Sequence, residues 1–422
     1  MDDITFGGLP EGRPTLVTGY AGCGKTVFAM QFVLNGIVQY GESGVYISLE
    51  EGETDLRQNM ASLGYHLEEM EQAGQLHLET ITLKHAALYR SGHFDLSPIF
   101  LRIEEAVNKV GAKRLAIDTF ELIFNDIEDE NIFRQELARL IRWLKERELT
   151  VVFSSELPRD PRIRGGVKEF ITDCVIHLKQ EVLESVYTRR LHIVKYRGSE
   201  HGTNEYPFLI DRDGISVLPI TSSAVPAISE EVTSTGIKGL DDRIEKGGFH
   251  AGSSILVSGA SGAGKTSFAF SLCVEAIKQG KRSMFFTFEE SPQQLKRNLK
   301  SIGFDLEQFE REGLLRIVST RSAMLGLEAH LVKIYKTIEA FRPSVVAFDP
   351  VTDLVQIGSK ADVREMLLRI IDSLKSRLVT ILLTAVDRSA YLERNHLDLS
   401  TLADSWVHLD MVREDGSWNK TI

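Results

Sequence analysis

The chain has 422 residues, enough for two or three domains that each bury a core of their own. It is 43% hydrophobic and 26% charged, and its net charge of −11, without any block of lysine and arginine, disfavours a nucleic-acid-binding protein. Its apolar runs are too short to cross a bilayer, its N-terminus lacks a signal-peptide pattern and its three cysteines are scattered, so we expect a cytoplasmic protein that is not embedded in a membrane.

The first predicted elements are a strand, a glycine-rich loop and a helix. Apolar residues 14–18 predict the strand, amphipathic residues 27–36 predict the helix, and the sequence G-x-x-x-x-G-K-T lies between them. Such a loop cradles the β- and γ-phosphates of a nucleotide with its backbone N–H groups, its lysine contacts the phosphates and its threonine holds Mg²⁺. The predicted ATP-binding residues are Gly22, Cys23, Gly24, Lys25, Thr26 and Val27.

Acidic residues end two of the strands that follow. Glu50 and Glu51 close the next apolar run, and Asp118 closes a later one. A strand end beside a phosphate loop is suited to a general base and to a carboxylate on the Mg²⁺ side. Taken alone, the same residues could open a turn or cap a helix. Their order favours catalytic roles, and the sequence leaves open which glutamate is the base.

The pattern then repeats, with the two loop lysines 240 residues apart (25 and 265). Glu289–Glu290 and Asp349 again end strands, so Thr266 and Asp349 are predicted to hold Mg²⁺ as Thr26 and Asp118 do. Strands alternate with helical patterns in both halves, which predicts an α/β protein with a mostly parallel sheet in each. We expect domains at 1–220 and 233–422, joined by a linker at 221–232. The second predicted ATP-binding set is Gly262, Ala263, Gly264, Lys265, Thr266 and Ser267.

These motifs, with Lys195-Tyr-Arg197-Gly-Ser-Glu-His201, resemble the KaiC family, the RecA-like tandem ATPases of the circadian-clock system. The resemblance covers essentially the whole chain. It implies two tandem RecA-like P-loop domains in a homohexamer, with ATP bound between neighbouring subunits. Lys195 and Arg197 would then contact the γ-phosphate of ATP on the adjacent subunit. The resemblance also implies a KaiB-like partner.

The two halves differ where residues 171–173 align with 402–404. Glu169–Phe170 of the first half then fall opposite Ser400–Thr401 of the second, which match the paired autophosphorylation sites of the family. The resemblance therefore implies ATP hydrolysis in the first domain and Ser/Thr autokinase activity in the second. In the first domain Glu50 or Glu51 would polarise water, whereas Glu289 or Glu290 would take a proton from the acceptor hydroxyl.

Two stretches depart from the family pattern. A second K-x-R-G strand end would fall near residue 426 (404 plus 22), past Ile422, so either the chain is cut short or this member lacks that finger and the tail where a KaiA-like activator docks. At the other end, Met1 aligns with Asp241, so nothing in the first domain matches residues 234–240.

Two alternatives use the same motifs. A RecA-type recombinase or DnaB-type helicase would be a DNA-dependent ATPase, which the acidic balance and the hydroxyl pair disfavour. A KaiC-like signalling ATPase without autokinase activity would act through its nucleotide state alone. Only the second domain's hydroxyls, Ser400 and Thr401, separate that alternative from an autokinase.

Overall fold

The computed structural model describes residues 1–81, 89–90, 93–94, 96–124, 127, 129–157, 171–183, 186–218, 228–320, 326–387, 399–414 and 417–422. The chain divides into two compact units. The first unit contains Met1–Glu181 and Arg189–Pro219, and the second contains Val182–Thr188 and Ile220–Ile422.

The first unit is built on a large sheet flanked by helices. In the described residues the sheet has nine strands in the order β3-β2-β6-β7-β1-β8-β9-β10-β11, and the six from β3 to β8 run parallel. A separate antiparallel pair is formed by β4 and β5. The strands are β1 (Pro14–Gly19), β2 (Gly44–Ser48), β3 (Leu76–Thr80), β4 (Tyr89–Arg90), β5 (His93–Phe94), β6 (Arg114–Asp118), β7 (Thr150–Glu156), β8 (Cys174–Leu183), β9 (Val186–Tyr196), β10 (Glu205–Asp211) and β11 (Gly214–Val217).

The second unit repeats this sheet. Its strands follow the order β16-β15-β17-β18-β14-β19-β20, and those from β16 to β19 run parallel. Read in chain order, the parallel strands occupy the same places as in the first unit, which is what a tandem duplication requires. The strands are β12 (Val232–Thr233), β13 (Phe249–His250), β14 (Ser254–Gly259), β15 (Ser283–Thr287), β16 (Leu315–Ser319), β17 (Val345–Asp349), β18 (Thr380–Val386), β19 (Ser405–Glu414) and β20 (Ser417–Thr421).

Helices cover the sheets because the parallel strands are apolar on both faces. In the first unit the buried residues of the helices at 97–110 and 130–146 pack against one face of the sheet in a single core. Short 3₁₀ helices lie at Phe120–Phe124, Glu245–Gly247, Val351–Gln356 and Leu399–Leu402. The α-helices are α1 (Lys25–Tyr40), α2 (Glu53–Ser62), α3 (Leu67–Gln72), α4 (Ser97–Val110), α5 (Glu130–Glu146), α6 (Lys238–Asp241), α7 (Lys265–Lys278), α8 (Pro292–Lys300), α9 (Leu306–Arg311), α10 (Leu327–Phe341) and α11 (Lys360–Lys375).

The predicted α/β architecture is confirmed, with a mostly parallel sheet in each half. The strand predicted at 14–18 ends one residue later, and the helix predicted at 27–36 runs from Lys25 to Tyr40. Of the expected linker, residues 221–227 lie outside the described residues, and the domain bounds stay a prediction. Among the described helices, none combines the length and the apolar character needed to cross a membrane.

Candidate nucleotide sites

Each predicted phosphate loop lies between a strand and a helix. The loop of the first unit follows β1 and leads into α1, and the loop of the second unit follows β14 and leads into α7. Two glycines of each loop have left-handed backbone angles, with φ near 80° at Gly22 and Gly262 and near 106° at Gly24 and Gly264. Residues with a Cβ atom rarely adopt such angles, so the loop's sharp turn depends on glycine. A backbone of this shape, ending in a helix N-terminus, suits an anionic phosphate.

The two loop lysines are held at the same place in both units. Lys25 is 8% exposed and its Nζ donates to the carbonyl oxygens of Gly19 at 3.0 Å and Tyr20 at 3.1 Å. Lys265 is 6% exposed and makes the corresponding bonds at 2.9 and 2.8 Å. Burial lowers the pKa of Lys265, an effect that the nearby carboxylate of Asp349 opposes. A buried ammonium group at the loop favours an anion beside it.

A threonine and an aspartate form the predicted Mg²⁺ site in each unit. Thr26 Oγ1 donates to Asp118 Oδ2 at 2.7 Å, and Thr266 Oγ1 donates to Asp349 Oδ2 at the same distance. The second aspartate oxygen accepts from a hydroxyl on the neighbouring parallel strand, Ser154 in the first unit and Thr384 in the second. Burial raises the pKa of Asp349, against the effect of its two hydroxyl donors. An oxygen-only donor pair of this kind fits Mg²⁺.

The glutamates of each pair have different surroundings. Glu50 is exposed, and its Oε2 accepts from the hydroxyl of Thr119 at 3.0 Å. Glu51 is half-buried, and its backbone N–H and C=O are both bonded to the Ser48 hydroxyl, at 3.0 and 2.6 Å. Burial, and then the charge of Asp118, raise the pKa of the Glu51 carboxyl. The first glutamate therefore faces solvent, whereas the second is fixed beside the aspartate.

The second unit keeps this division of roles with one change. Thr287 Oγ1 bonds to the backbone of Glu290 at 3.1 and 3.2 Å, and burial followed by the charge of Asp349 raises the pKa of the Glu290 carboxyl. Glu289 is exposed, as Glu50 is. However, Pro350 stands where the first unit has Thr119, because both residues directly follow the strand-end aspartate. Proline has no hydroxyl, so Glu289 cannot receive the bond that Glu50 receives.

Lys195 and Arg197 lie far from the loop of their own chain. Lys195 Nζ donates to the carbonyl oxygen of Thr172 at 2.6 Å, and the guanidinium of Arg197 lies 3.9 Å from Asp173. Asp173 in turn donates its backbone N–H to Pro14, the first residue of β1. The phosphate loop begins at the other end of that strand, at Gly19, five residues further along the chain. At ~3.3 Å per residue the two ends are separated by about 17 Å.

Ser400 and Thr401 occupy the corresponding edge of the second unit. Both are exposed on the 3₁₀ helix Leu399–Leu402, whose terminal leucines are 0% and 8% exposed. Ser254, the first residue of β14, donates its hydroxyl to the carbonyl oxygen of Leu402 at 3.0 Å. Arg364 Nη2 donates to Thr401 Oγ1 at 3.2 Å. The residues opposite in the first half, Glu169 and Phe170, lie outside the described residues.

Several partners of the site were not predicted from the sequence. Their shared feature is that they orient a carboxylate rather than contact phosphate. A signal existed for two pairs, because hydroxyl residues recur in matching apolar strands, Ser48 with Thr287 and Ser154 with Thr384. The contacts that the other residues make depend on which elements lie side by side, which one sequence does not reveal. The missed residues are Tyr46, Ser48, Thr119, Ser154, Thr287 and Thr384.

Comparison with known proteins identifies the family. The family model described as ATPase: KaiC matches residues 1–222 and again 233–422. The whole chain aligns with circadian clock protein KaiC2 of a Synechocystis strain, at 42% identity and covering 75% of that protein. It also aligns along its whole length with the circadian clock oscillator proteins KaiC of Parathermosynechococcus lividus (38% identical, 79% covered) and Synechococcus elongatus (35%, 82%). The predicted tandem RecA-like arrangement is thereby confirmed, and the chain belongs to the KaiC family of ATPases.

Proposed function

We propose that the first unit hydrolyses ATP and that the second unit transfers phosphate from ATP to Ser400 or Thr401. Membership of an ATPase family supports ATP as the substrate of both sites. The Thr26–Asp118 and Thr266–Asp349 pairs would hold Mg²⁺, which neutralises charge on the β- and γ-phosphates when bound.

One observation carries the proposal that phosphate passes between subunits. The 3₁₀ helix that carries the acceptor hydroxyls is held at the start of β14 by the bond from Ser254 to the Leu402 carbonyl oxygen, whereas Lys265 follows the loop at the other end of this strand. About 17 Å of strand separates these edges, far more than the contact distance that phosphoryl transfer needs. We therefore propose that the ATP that phosphorylates Ser400 or Thr401 is bound to the second phosphate loop of another copy of the chain.

The first unit supports the same arrangement. Lys195 and Arg197 contact Thr172 and Asp173 beside the start of β1, so in the first unit they lie at the edge that Ser400 and Thr401 occupy in the second, away from the phosphate loop of their own unit. In a ring, the same edge of one subunit would face the loop of its neighbour. We propose a homohexamer with ATP at each interface, in which these two cations neutralise charge on the neighbour's γ-phosphate.

We assign the base to the exposed glutamate of each pair. In the second unit Glu289 would take the proton of the Ser400 or Thr401 hydroxyl, whose oxygen attacks the γ-phosphorus. The bond from the γ-phosphorus to the β-phosphate oxygen breaks, and ADP and a phosphoprotein result. In the first unit Glu50 would take a proton from water, and the products would be ADP and inorganic phosphate. The bond from Thr119 orients Glu50 for that role.

The names of the relatives support a wider proposal. The three relatives described above are named as circadian clock proteins, so we propose a clock-type role for this chain, with a KaiB-like partner and a cytoplasmic location. Phosphate on Ser400 or Thr401 would add roughly −1.5 to −2 charge per site. Arg364, which contacts Thr401, would supply a positive charge beside that phosphate.

A mixing experiment tests transfer between subunits. A donor chain with Ser400→Ala and Thr401→Ala keeps its loops, and an acceptor chain with Lys265→Ala keeps its hydroxyls. The two are assembled together with Mg²⁺-ATP, and phosphorylated residues are mapped by mass spectrometry. We expect phosphate on the acceptor chain in the mixture and on neither chain alone.

The other outcomes separate the alternatives. Phosphate on the acceptor chain alone would contradict the proposal, because its own second loop is disabled. If wild-type protein hydrolyses ATP but never carries phosphate on Ser400 or Thr401, the chain is a signalling ATPase without autokinase activity. Hydrolysis that depends on DNA, with a steep salt dependence of DNA affinity, would instead support a DNA-dependent ATPase.

A further inference from the structure

The strand beside the phosphate loop ends in glutamate in the first unit and in valine in the second. Glu156, the last residue of β7, pairs in register with Gly19, where the loop begins. Val386, the last residue of β18, pairs with Gly259 in the same way. A charged and an apolar residue therefore occupy equivalent positions beside the two candidate nucleotide sites.

The carboxylate of Glu156 lies beside the lysine of the loop. Its Oε1 is 3.9 Å from Lys25 Nζ, and the glutamate and lysine side chains are 55% and 9% exposed. Glu156 donates its backbone N–H to Glu121 Oε1 at 2.5 Å. The next residue, Leu157, donates its N–H to the carbonyl oxygen of Gly19 at 3.3 Å, and the same oxygen accepts from Lys25 Nζ. The lysine and the strand end are therefore fixed to one backbone group, which keeps the two charges close together.

The corresponding residues of the second unit are uncharged. Val386 donates its backbone N–H to the hydroxyl of Thr352 at 3.4 Å. Thr352 takes the place of Glu121, because each lies three residues after the strand-end aspartate. Among the residues that the structure describes, no ion pair of Lys265 corresponds to the pair between Lys25 and Glu156.

An aspartate one residue further along the second unit supplies only part of this charge effect. The Oδ2 atom of Asp387 lies 3.6 Å from Nδ1 of His408. Burial lowers the pKa of Lys265, and the charges of Asp349 and then Asp387 oppose that effect. Asp387 therefore acts on Lys265 less than Asp349 does, and both units have the strand-end aspartate. The carboxylate paired with the loop lysine distinguishes the first unit.

A carboxylate at this position competes with a nucleotide for the lysine. Lys25 is predicted to contact the β- and γ-phosphates. A phosphate oxygen bonded to Lys25 Nζ at about 2.8 Å would lie within about 7 Å of Glu156 Oε1, because the lysine and the glutamate are 3.9 Å apart. Two negative charges at that separation repel each other. The repulsion is stronger for ATP than for ADP, because ATP brings one more phosphate to the lysine.

We propose that Glu156 is a specificity-determining residue of the first nucleotide site, where it lowers the affinity for ATP relative to ADP. Its carboxylate loses its pair with Lys25 when the lysine contacts the γ-phosphate, and it then repels that phosphate. The second site has Val386 instead and binds ATP without this penalty. The inference rests on the proposed binding of nucleotide at both loops.

Exchange of the two strand-end residues tests the inference on the full chain. Binding of fluorescently labelled ATP and ADP is measured with Mg²⁺, at the first site in a Lys265→Ala background and at the second site in a Lys25→Ala background. Glu156→Val should tighten ATP binding at the first site about fivefold, and ADP binding by about twofold at most. Val386→Glu should weaken ATP binding at the second site by about fivefold.

Two further variants separate charge from shape. Glu156→Gln keeps the size of the side chain and removes its charge, so it should tighten ATP binding as valine does. The gain should shrink as the salt concentration rises, which a purely structural role of Glu156 would not produce. Glu69→Gln, at an exposed position of α3, removes one negative charge elsewhere. It should leave ATP binding unchanged, because α3 packs on β3, which lies four strands from β1 in the sheet.

The remaining outcomes overturn the inference in distinguishable ways. If Glu156→Gln and Glu156→Val bind ATP no more tightly than the Lys265→Ala background, or tighten ADP binding as much as ATP binding, Glu156 does not discriminate between the nucleotides. If the Lys265→Ala chain binds neither nucleotide, the first loop is not a nucleotide site, and the inference fails together with the proposed function.

Discussion

The two units of this chain share the residues predicted to bind phosphate and differ in the residues around their carboxylates. The buried lysine and the threonine–aspartate pair make matching hydrogen bonds in the two units, and each unit has two glutamates after the next strand. Around them, Tyr46 is replaced by Phe285, Thr119 by Pro350 and Glu156 by Val386. The two units thus have the same candidate nucleotide-binding residues but hold the neighbouring carboxylates in different ways.

The tyrosine shows what such a change does. Asp118 accepts hydrogen bonds from three hydroxyls, of Thr26, Ser154 and Tyr46, the last at 2.7 Å. Burial and the Asp118 charge raise the pKa of Tyr46 well above its ordinary value, so it stays a neutral donor. Asp349 has only the two hydroxyl donors among its described side-chain contacts. The first carboxylate therefore has one hydrogen-bond donor more than the second, which is compatible with the water-activating role that we propose for the first site.

The largest expected effect comes from removing one loop lysine at a time. Lys25→Ala should lower steady-state phosphate release by about two orders of magnitude while leaving phosphate on Ser400 or Thr401, because an electrostatic contact to the transferred group is lost only in the first unit. Lys265→Ala should do the reverse. Phosphate release and phosphosite occupancy are measured on the same samples.

The exposed Lys278, on the same helix as Lys265, offers a matched control for this pair. It forms an ion pair with Glu275, so Lys278→Ala removes a charge without touching the loop. Neither readout should change in that variant. The division of labour between the units would be refuted if Lys25→Ala and Lys265→Ala lowered both activities equally.

A smaller effect is expected from Tyr46→Phe, which gives the first unit the aromatic residue of the second. Loss of a buried hydroxyl bond to a carboxylate should destabilise the first unit by about 1–2 kcal/mol. Amide exchange measured peptide by peptide resolves the two units separately, and only peptides of the first should lose protection. Tyr65→Phe is the control, since its exposed hydroxyl bonds to Asp213 at 3.1 Å. Equal loss of protection in both variants would argue against a special role of the Asp118 bond.

Local patterns made the fold predictable, together with the position of each candidate phosphate loop between a strand and a helix. A glycine-rich loop between an apolar run and a helical run is typical of a strand–loop–helix unit, and the repeat of the pattern supported that prediction. Ser400–Thr401 followed from aligning Asp173 with Asp404, and both aspartates indeed donate their backbone N–H to the first residue of the loop-bearing strand. These patterns involve residues that are close in sequence or that recur at a fixed spacing, so the elements that they form can be predicted from the sequence alone.

The contacts of the candidate sites that the sequence did not predict depend on strand register and on packing. Ser154 contacts Asp118 because β7 lies beside β6, a pairing between residues 36 positions apart. The assignment of roles within each glutamate pair likewise needed burial, because the two residues are identical in type.

The smallest predicted effect concerns the half-buried glutamate of the first unit. The raised pKa of Glu51 means that folding disfavours its charged form. Below the unfolded pKa of about 4.3 the carboxyl is protonated in both states and does not lower the free energy of unfolding. As the pH rises from there through the folded pKa, the free energy of unfolding decreases. Glu51→Gln removes the penalty, so it should raise the melting temperature of the first unit by about 1–3 °C at pH 8 and by less at pH 4.5. Glu69→Gln, at an exposed position of α3, controls for the loss of one negative charge. A gain that was larger at pH 4.5 than at pH 8 would mean that the Glu51 carboxylate is stabilised by its surroundings, and that the buried position beside Asp118 favours its charge.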